Sequence, residues 1–405
     1  MSEAKLPKTL MLSAALGLGA AWGAPSVALA LDPPARVEFQ LGTWKLDYSV
    51  GLDGFVYALT GTGDAGSLGL LGTDKSKGAK ILNGLAKVEK TEGLFQFAVQ
   101  VGGVSSWTMG TKPTMASAQT YSSGPLYTGS LTLAPTSDFS ISAGRLGSLE
   151  GYESTVDWLN SNVLATSIFF VQNSVSNSIS ATYTAGPVST TLMFGDGFDT
   201  YRFNFLQASG TYTFDDSNNL TLYGATNVGR TGLSAHTYGS STVSWNATTV
   251  GSYGANFVNS SMAGAYYSYT NGGLNIVPEL QYVFAEKNSA LATAGSPAMK
   301  GYSSNFGAAV FANYKFKDTP YSLGGWLEYF TSNGPDFWFL DPKARGFGLS
   351  VTPTWQSKYV FVRGDIGFIH LTSIGDSTSP LFSGGYGTGH GRNQATFVLE
   401  AGLTY

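Results

Sequence analysis

Over the last nine residues, from Phe397 to Tyr405, apolar and small or polar side chains alternate without a miss. Phe397, Leu399, Ala401, Leu403 and Tyr405 share one face, and Val398, Glu400, Gly402 and Thr404 share the other. A period of two belongs to a β-strand, because successive side chains leave an extended backbone on opposite sides. The middle of the chain repeats this grammar: an alternating segment of about ten residues, a tight polar turn, and a second alternating segment. Ile179, Ala181 and Tyr183 alternate with Ser and Thr until Gly186-Pro187 turns the chain into Val188, Thr190, Leu192 and Phe194. Asn271-Gly272-Gly273 joins Ala265-Tyr267-Tyr269 to Leu274-Ile276, the strongest hairpin signal in the chain. Such a chain is all-β, and each of its strands has one face for an apolar medium and one for water.

The composition names the apolar medium. Charged residues make up 12% of the 405 residues while hydrophobic content is an ordinary 43%, and a soluble protein of this size carries about twice that share of charge. Abundant Gly, Tyr, Phe, Ser and Thr suit a sheet with lipid on one side. At the start, Lys5 and Lys8 precede an apolar stretch from Leu10 to Trp22, and Ala28-Leu29-Ala30 offers a small-x-small cleavage site. That stretch is shorter than the roughly 20 residues of a membrane-spanning helix. Residues 1–30 are therefore expected to be a secretory signal peptide, and 31–405 the barrel. Without Lys5, Lys8 and Glu3 the chain keeps 20 basic and 25 acidic residues, a net charge of −5 that speaks against a nucleic-acid partner. No cysteine is present, so neither a disulfide scaffold nor a lipid-modified N-terminal cysteine is available.

The alternation predicts sixteen strands: 45–58, 92–102, 104–112, 125–134, 139–147, 175–185, 188–195, 203–214, 220–229, 261–270, 274–285, 307–316, 321–331, 346–355, 359–370 and 396–405. Fourteen or eighteen also fit the pattern, with 104–112 the weakest member. The fold expected is a transmembrane antiparallel up-and-down β-barrel. Short turns at 135–138, 186–187, 215–219, 271–273, 317–320 and 356–358 would face the periplasm. Longer connections at 59–91, 147–174, 230–260, 286–305, 331–345 and 371–395 would face outward from the cell. Tyr212, Phe214, Tyr269, Tyr314, Phe316, Tyr321, Trp355 and Tyr359 lie beside the short turns, where amphipathic rings suit the membrane interface.

Parity sorts the charges. If Trp44, Leu46, Tyr48 and Val50 face lipid, then Lys45, Asp47 and Asp53 face inward. The same rule turns Arg202, Glu279, Gln281, Lys315, Glu328, Arg363, Asp365 and Glu400 to the lumen. A charge on the lipid face near the midplane costs about 2–4 kcal/mol, which explains the sorting. A barrel of this width encloses water, so diffusion of small hydrophilic solutes is the expected function, with at most a mild cation preference. The connection 147–174, carrying Glu150, Glu153 and Asp157, is the candidate constriction loop.

The ending Phe397 to Tyr405 resembles the closing strand of bacterial outer-membrane barrels, which ends on an aromatic residue. The stretch Gly144-Arg145-Leu146-Gly147 followed by Gly151-Tyr152-Glu153, then Trp158 and Asn160, and later Gly197-Phe198-Asp199, resembles the OmpL-like family of β-barrel porins. This resemblance covers roughly residues 139–200 and implies an outer-membrane channel without naming a solute. Arg145 departs from the barrel's parity. Phe139, Ile141 and Ala143 put it on the lipid face, so either a bulge re-aims it toward the constriction or it sits at the rim among headgroups.

Other chemistry finds little support. Gly61 to Gly66 matches G-x-G-x-x-G but opens no amphipathic helix. His236, His370 and His390 lack metal-ligand spacing, and the aspartates at 196, 199, 215 and 216 lack EF-hand spacing. No catalytic residue, metal or cofactor is predicted. The partners expected are outer-membrane lipid and lipopolysaccharide, small hydrophilic solutes and, through Phe397 to Tyr405, the barrel-assembly machinery. A homotrimer is compatible with the apolar outer face. The rival readings are an adhesin or structural barrel acting through its long loops, and a barrel hydrolase using one of the three histidines.

Overall fold

The computed structural model describes residues 31, 37–62, 76–113, 115–116, 124–232, 244–245, 248–249, 254–293, 297–335, 338–340, 342–375, 385–387 and 389–405. The signal-peptide prediction, His236 and most of the Gly61 to Gly66 motif lie outside them.

Among the described residues sixteen antiparallel strands close into a barrel. They are β1 (Trp44–Leu59), β2 (Lys77–Lys90), β3 (Phe95–Gly103), β4 (Leu126–Leu133), β5 (Phe139–Gly147), β6 (Val175–Ala185), β7 (Val188–Gly195) and β8 (Phe205–Asp215). The second half comprises β9 (Asn218–Asn227), β10 (Ser261–Asn271), β11 (Leu274–Ala285), β12 (Ser303–Lys315), β13 (Tyr321–Asn333), β14 (Ala344–Ser357), β15 (Val360–Ile374) and β16 (Asn393–Thr404). Each strand pairs with its neighbours in sequence, and β16 closes on β1 with Phe397 opposite Ala58 and Thr404 opposite Gly51. Closure leaves no strand edge unpaired, which a lipid solvent requires. An additional short strand, Val37–Leu41, pairs with the start of β1.

The outward face is apolar as the parity predicted. Phe397, Leu399 and Leu403 are exposed on it, while Val398, Glu400 and Thr404 are buried on the inner side. At the short-turn end the aromatics touch: Tyr212 and Phe214 rings lie 4.8 Å apart, Tyr314 and Phe316 5.0 Å, and Tyr359 and the terminal Tyr405 4.9 Å. Gly272, at φ +58° in the hairpin turn between β10 and β11, holds the left-handed conformation that Asn-Gly turns demand.

Two predicted segments are corrected. Residues 104–112 form no barrel strand; Trp107–Thr108 instead pair with Leu164–Ala165 inside the barrel. The strand that replaces it is β2, within what was predicted to be a long external connection. Its register slips between Asp53 and Gly54 of β1, which face Asn83 and Ile81, so Leu82 is an extra residue. Such a bulge breaks the period of two. Lys77, Lys80, Lys87, Glu89 and Lys90 also make β2 look like a solvated loop, yet Lys87 and Glu89 point inward, buried, and form an ion pair at 2.6 Å.

Candidate pore and the loop folded into it

The connection 148–174 runs back into the barrel instead of standing outside it. Its inward course is set by small residues on the wall. A Cβ on Gly51 of β1 would sit 2.6 Å from the Trp158 ring, and one on Gly324 of β13 would strike the Ser161 carbonyl. The loop thus lies flat against the inner face where that face has no side chain.

The wall's charged and amide side chains then hold it. Arg363 of β15 pairs with Asp157 of the loop and with Glu400 of β16, and its Nη1 donates to the Asn160 carbonyl at 3.1 Å. Asp365 accepts from the backbone N–H of Val163 at 3.0 Å and of Leu164 at 3.1 Å. Glu328 accepts from the Ser167 N–H at 2.8 Å, and Gln281 donates to the Ile168 carbonyl at 3.1 Å. Trp326 donates its indole N–H to the Leu164 carbonyl at 2.9 Å. A loop buried in a barrel must satisfy its own backbone polar groups, and these side chains do so.

Asp53, Asp157 and Glu400 also lie close together, with one oxygen from each within 4.8 Å of the others. Asn83 donates to Asp53 at 2.9 Å and also to Asp157, and the Arg363 guanidinium supplies the cation that this acidic group needs. Tyr223 donates to Glu279 at 2.6 Å.

Apolar side chains also pack inside the barrel. Phe55, Tyr57, Trp107, Met109, Leu164, Ile168, Phe257, Phe330, Trp338 and Phe339 belong to one buried cluster. A second cluster joins Leu31, Leu85, Val104, Trp158 and Phe361. The loops therefore fill part of the lumen that width alone would leave to water.

The predicted lumen residues divide accordingly. Asp53, Glu279, Gln281, Glu328, Arg363, Asp365 and Glu400 do point inward, but each is at most 1% exposed, covered by the loop. Asp47 and Lys315 are half-buried near the short-turn end. Lys45, on the same face of β1 as Asp47, is exposed beside the short terminal strand, 2.8 Å from Glu38. Arg202 is corrected, because β8 starts at Phe205 and leaves Arg202 exposed in the connection before it. Of the loop acids, Glu150 accepts from the Asn173 N–H at 2.7 Å, and Glu153 accepts from the Thr166 N–H at 3.2 Å. Arg145 does not reach the constriction: it sits at the rim, where Nη1 and Nη2 meet the Asp199 carboxylate and Nε donates to the Tyr127 carbonyl at 2.9 Å.

A family model described as Putative beta-barrel porin-2, OmpL-like, matches residues 50–405. The chain belongs to this family. Its fold is that of solved outer-membrane porins. The anion-selective porin of Comamonas acidovorans superposes with a TM-score of 0.58 at 10% identity, covering 89% of this chain and 99% of that one. Outer-membrane OmpT of Vibrio cholerae gives 0.54 at 12% identity, covering 91% and 100%. Salmonella typhi OmpF, in complex with daunomycin, gives 0.50 at 12% identity over 91% and 100%. The comparison with curated proteins returns no match. These structures share the fold alone, and the family match is what supports an outer-membrane barrel.

Sequence reasoning missed Asn83, Lys87 and Glu89 because β2 was missed. It also missed Tyr223, an inward phenol whose position in the alternation was a usable signal.

Proposed function

We propose that this porin-family barrel passes small hydrophilic solutes across the outer membrane by passive diffusion. The observation that carries the reading is the uneven burial of the inner face. Inward side chains of β10 to β16 and of β1 to β3 are mostly buried, while those of β4 to β8 nearer the short turns, such as Thr132, Thr182, Thr191 and Ser209, are half-exposed, as on the wall of a water-filled passage. Export by a cleaved segment 1–30, recognition of Phe397 to Tyr405 by the assembly machinery, contact with lipid and lipopolysaccharide, and assembly as a homotrimer belong to the same proposal.

A hydrolase would need a nucleophile or carboxylate beside a histidine. The Nδ1 of His370 lies 2.6 Å from the Asn393 side-chain oxygen, and its ring packs on Phe347. Single-channel recording of the refolded protein tests the reading. Discrete conductance steps are expected, and their absence from a folded, inserted barrel would refute it.

A further inference from the structure

The wall left open to water is chemically unlike the rest of the lumen. Six consecutive strands, β4 to β9, contain two formally charged residues, Arg145 and Asp215. Arg145 is held at the rim by Asp199, and Asp215 is held in a short turn by the Ser217 N–H at 2.8 Å and by Asn218. Nearer the short turns the inward positions of β4 to β8 are mostly half-exposed serine and threonine, while farther up Met193, Phe205 and Gln207 are buried. The hydroxyls pair across the strands: Thr132 with Ser142 at 2.7 Å, Thr182 with Thr191 at 2.9 Å, Thr184 with Ser189 at 3.2 Å and Thr211 with Thr221 at 2.8 Å. The opposite half of the lumen holds Asp53, Glu328, Arg363, Asp365 and Glu400, all sealed beneath the loop.

We infer that the passage runs between the inward loop and the hydroxyl wall of β4 to β8, and that it favours neutral polyhydroxylated solutes over ions of similar size. The inference rests on the diffusion reading above. A hydroxyl donates one hydrogen bond and accepts two, with no formal charge. A paired hydroxyl therefore keeps an accepting lone pair, and one member of each pair keeps its O–H to offer. A polyol moving along such a ladder exchanges its bonds to water for bonds to the wall at little net cost. An ion sheds part of its hydration in the same narrow space and meets no fixed countercharge there. The buried ionic groups on the far side hold the loop and are out of its reach.

The test is osmotic swelling of liposomes carrying the refolded protein, with mannitol, gluconate and glucosamine as neutral, anionic and cationic probes of similar size. Mannitol should enter about tenfold faster than either ion, corresponding to a difference of about 1.4 kcal/mol in the barrier. Equal entry of all three, or faster entry of gluconate, overturns the inference and leaves the diffusion reading standing. Entry of none, from a barrel shown to be folded by its heat-modifiable gel mobility, overturns the diffusion reading itself. The double variant Thr182→Val and Thr191→Val keeps the β-branched shape that strands favour and removes one hydroxyl pair. It should slow mannitol severalfold, and an unchanged rate in the folded variant counts against the wall. Thr191→Lys should shift the reversal potential in a salt gradient toward anion preference, and no shift would place residue 191 outside the passage. If either variant fails to fold, the three-solute comparison on the unaltered protein still decides.

Discussion

Arg145 of β5 and Asp199, in the connection after β7, face each other as a two-pronged ion pair, with Nη2 2.6 Å from Oδ2 and Nη1 beside Oδ1. The pair joins the Gly144-Arg145 segment to Gly197-Phe198-Asp199, with the two partners 54 residues apart in the chain. Phe198 and Asp199 adopt φ of +56° and +53°, a conformation that non-glycine residues hold only when their surroundings enforce it.

Removing one partner of this largely buried pair should therefore be costly. Asp199→Ala is expected to destabilise the barrel by about 3–5 kcal/mol, because it leaves Arg145 uncompensated. Arg145→Ala combined with Asp199→Ala should cost less than the sum of the single changes. Unfolding midpoints in detergent measure this, and strict additivity would show that the pair is not coupled.

Arg363→Met should release the loop. Asp157 and Glu400 would then confront each other without the cation that both now contact. Single-channel conductance is expected to rise and become noisier as the loop leaves the wall. A variant with unchanged conductance would mean that the remaining anchors suffice.

Gly324→Val tests the seat instead of the tether. Its side chain would take the space of the Ser161 backbone, which has no flexible end to move aside. Larger conductance and lower thermal stability are expected. Gly364→Ala is the control, since its Cβ would lie 3.8 Å from the Pro353 side chain, an ordinary contact. Matching behaviour of the two variants would remove the seat from the explanation.

The loop should also loosen as pH rises. Burial pushes the Glu150 carboxyl up to about 8, partly opposed by the hydrogen bond from Asn173, and burial pushes Glu153 well above its ordinary value as well. A folded-state pKa above the unfolded one means that the stabilising contribution is complete below about 4.5 and lost as pH rises through about 8. Current noise from the loop should increase between these values. Glu150→Gln, which stays neutral, should flatten that dependence, and a variant with the parent's pH profile would assign it to another group.

The barrel was legible because lipid imposes a local rule. Alternation at Phe397 to Tyr405 named both faces of β16, and the hairpin at Asn271-Gly272-Gly273 named its turn without help from distant residues. The same rule failed at β2, where Leu82 interrupts the alternation and five charged residues imitate a loop. The strand total was recovered only because 104–112, whose Val104, Trp107 and Met109 are buried inside the barrel, was counted in its place.

Inward direction was legible too, but the surroundings of each inward group were not. Parity turned Arg363, Asp365 and Glu328 to the lumen, yet their partners Asp157, Val163 and Ser167 stand 161 to 206 residues away in the chain. No periodicity in a strand records what packs against its inner face.

A sheet with an apolar outside and a polar inside is written in the local pattern of the chain, because each residue's face follows from its place in an extended backbone. Which inward groups meet water depends on how the distant loop packs. The loop between β5 and β6 lies against one half of the wall, where Gly51 and Gly324 leave it room and Arg363, Asp365 and Glu328 bond to it. The charges are thereby buried, and the half-exposed serines and threonines of β4 to β8 near the short turns are left beside the open part of the lumen.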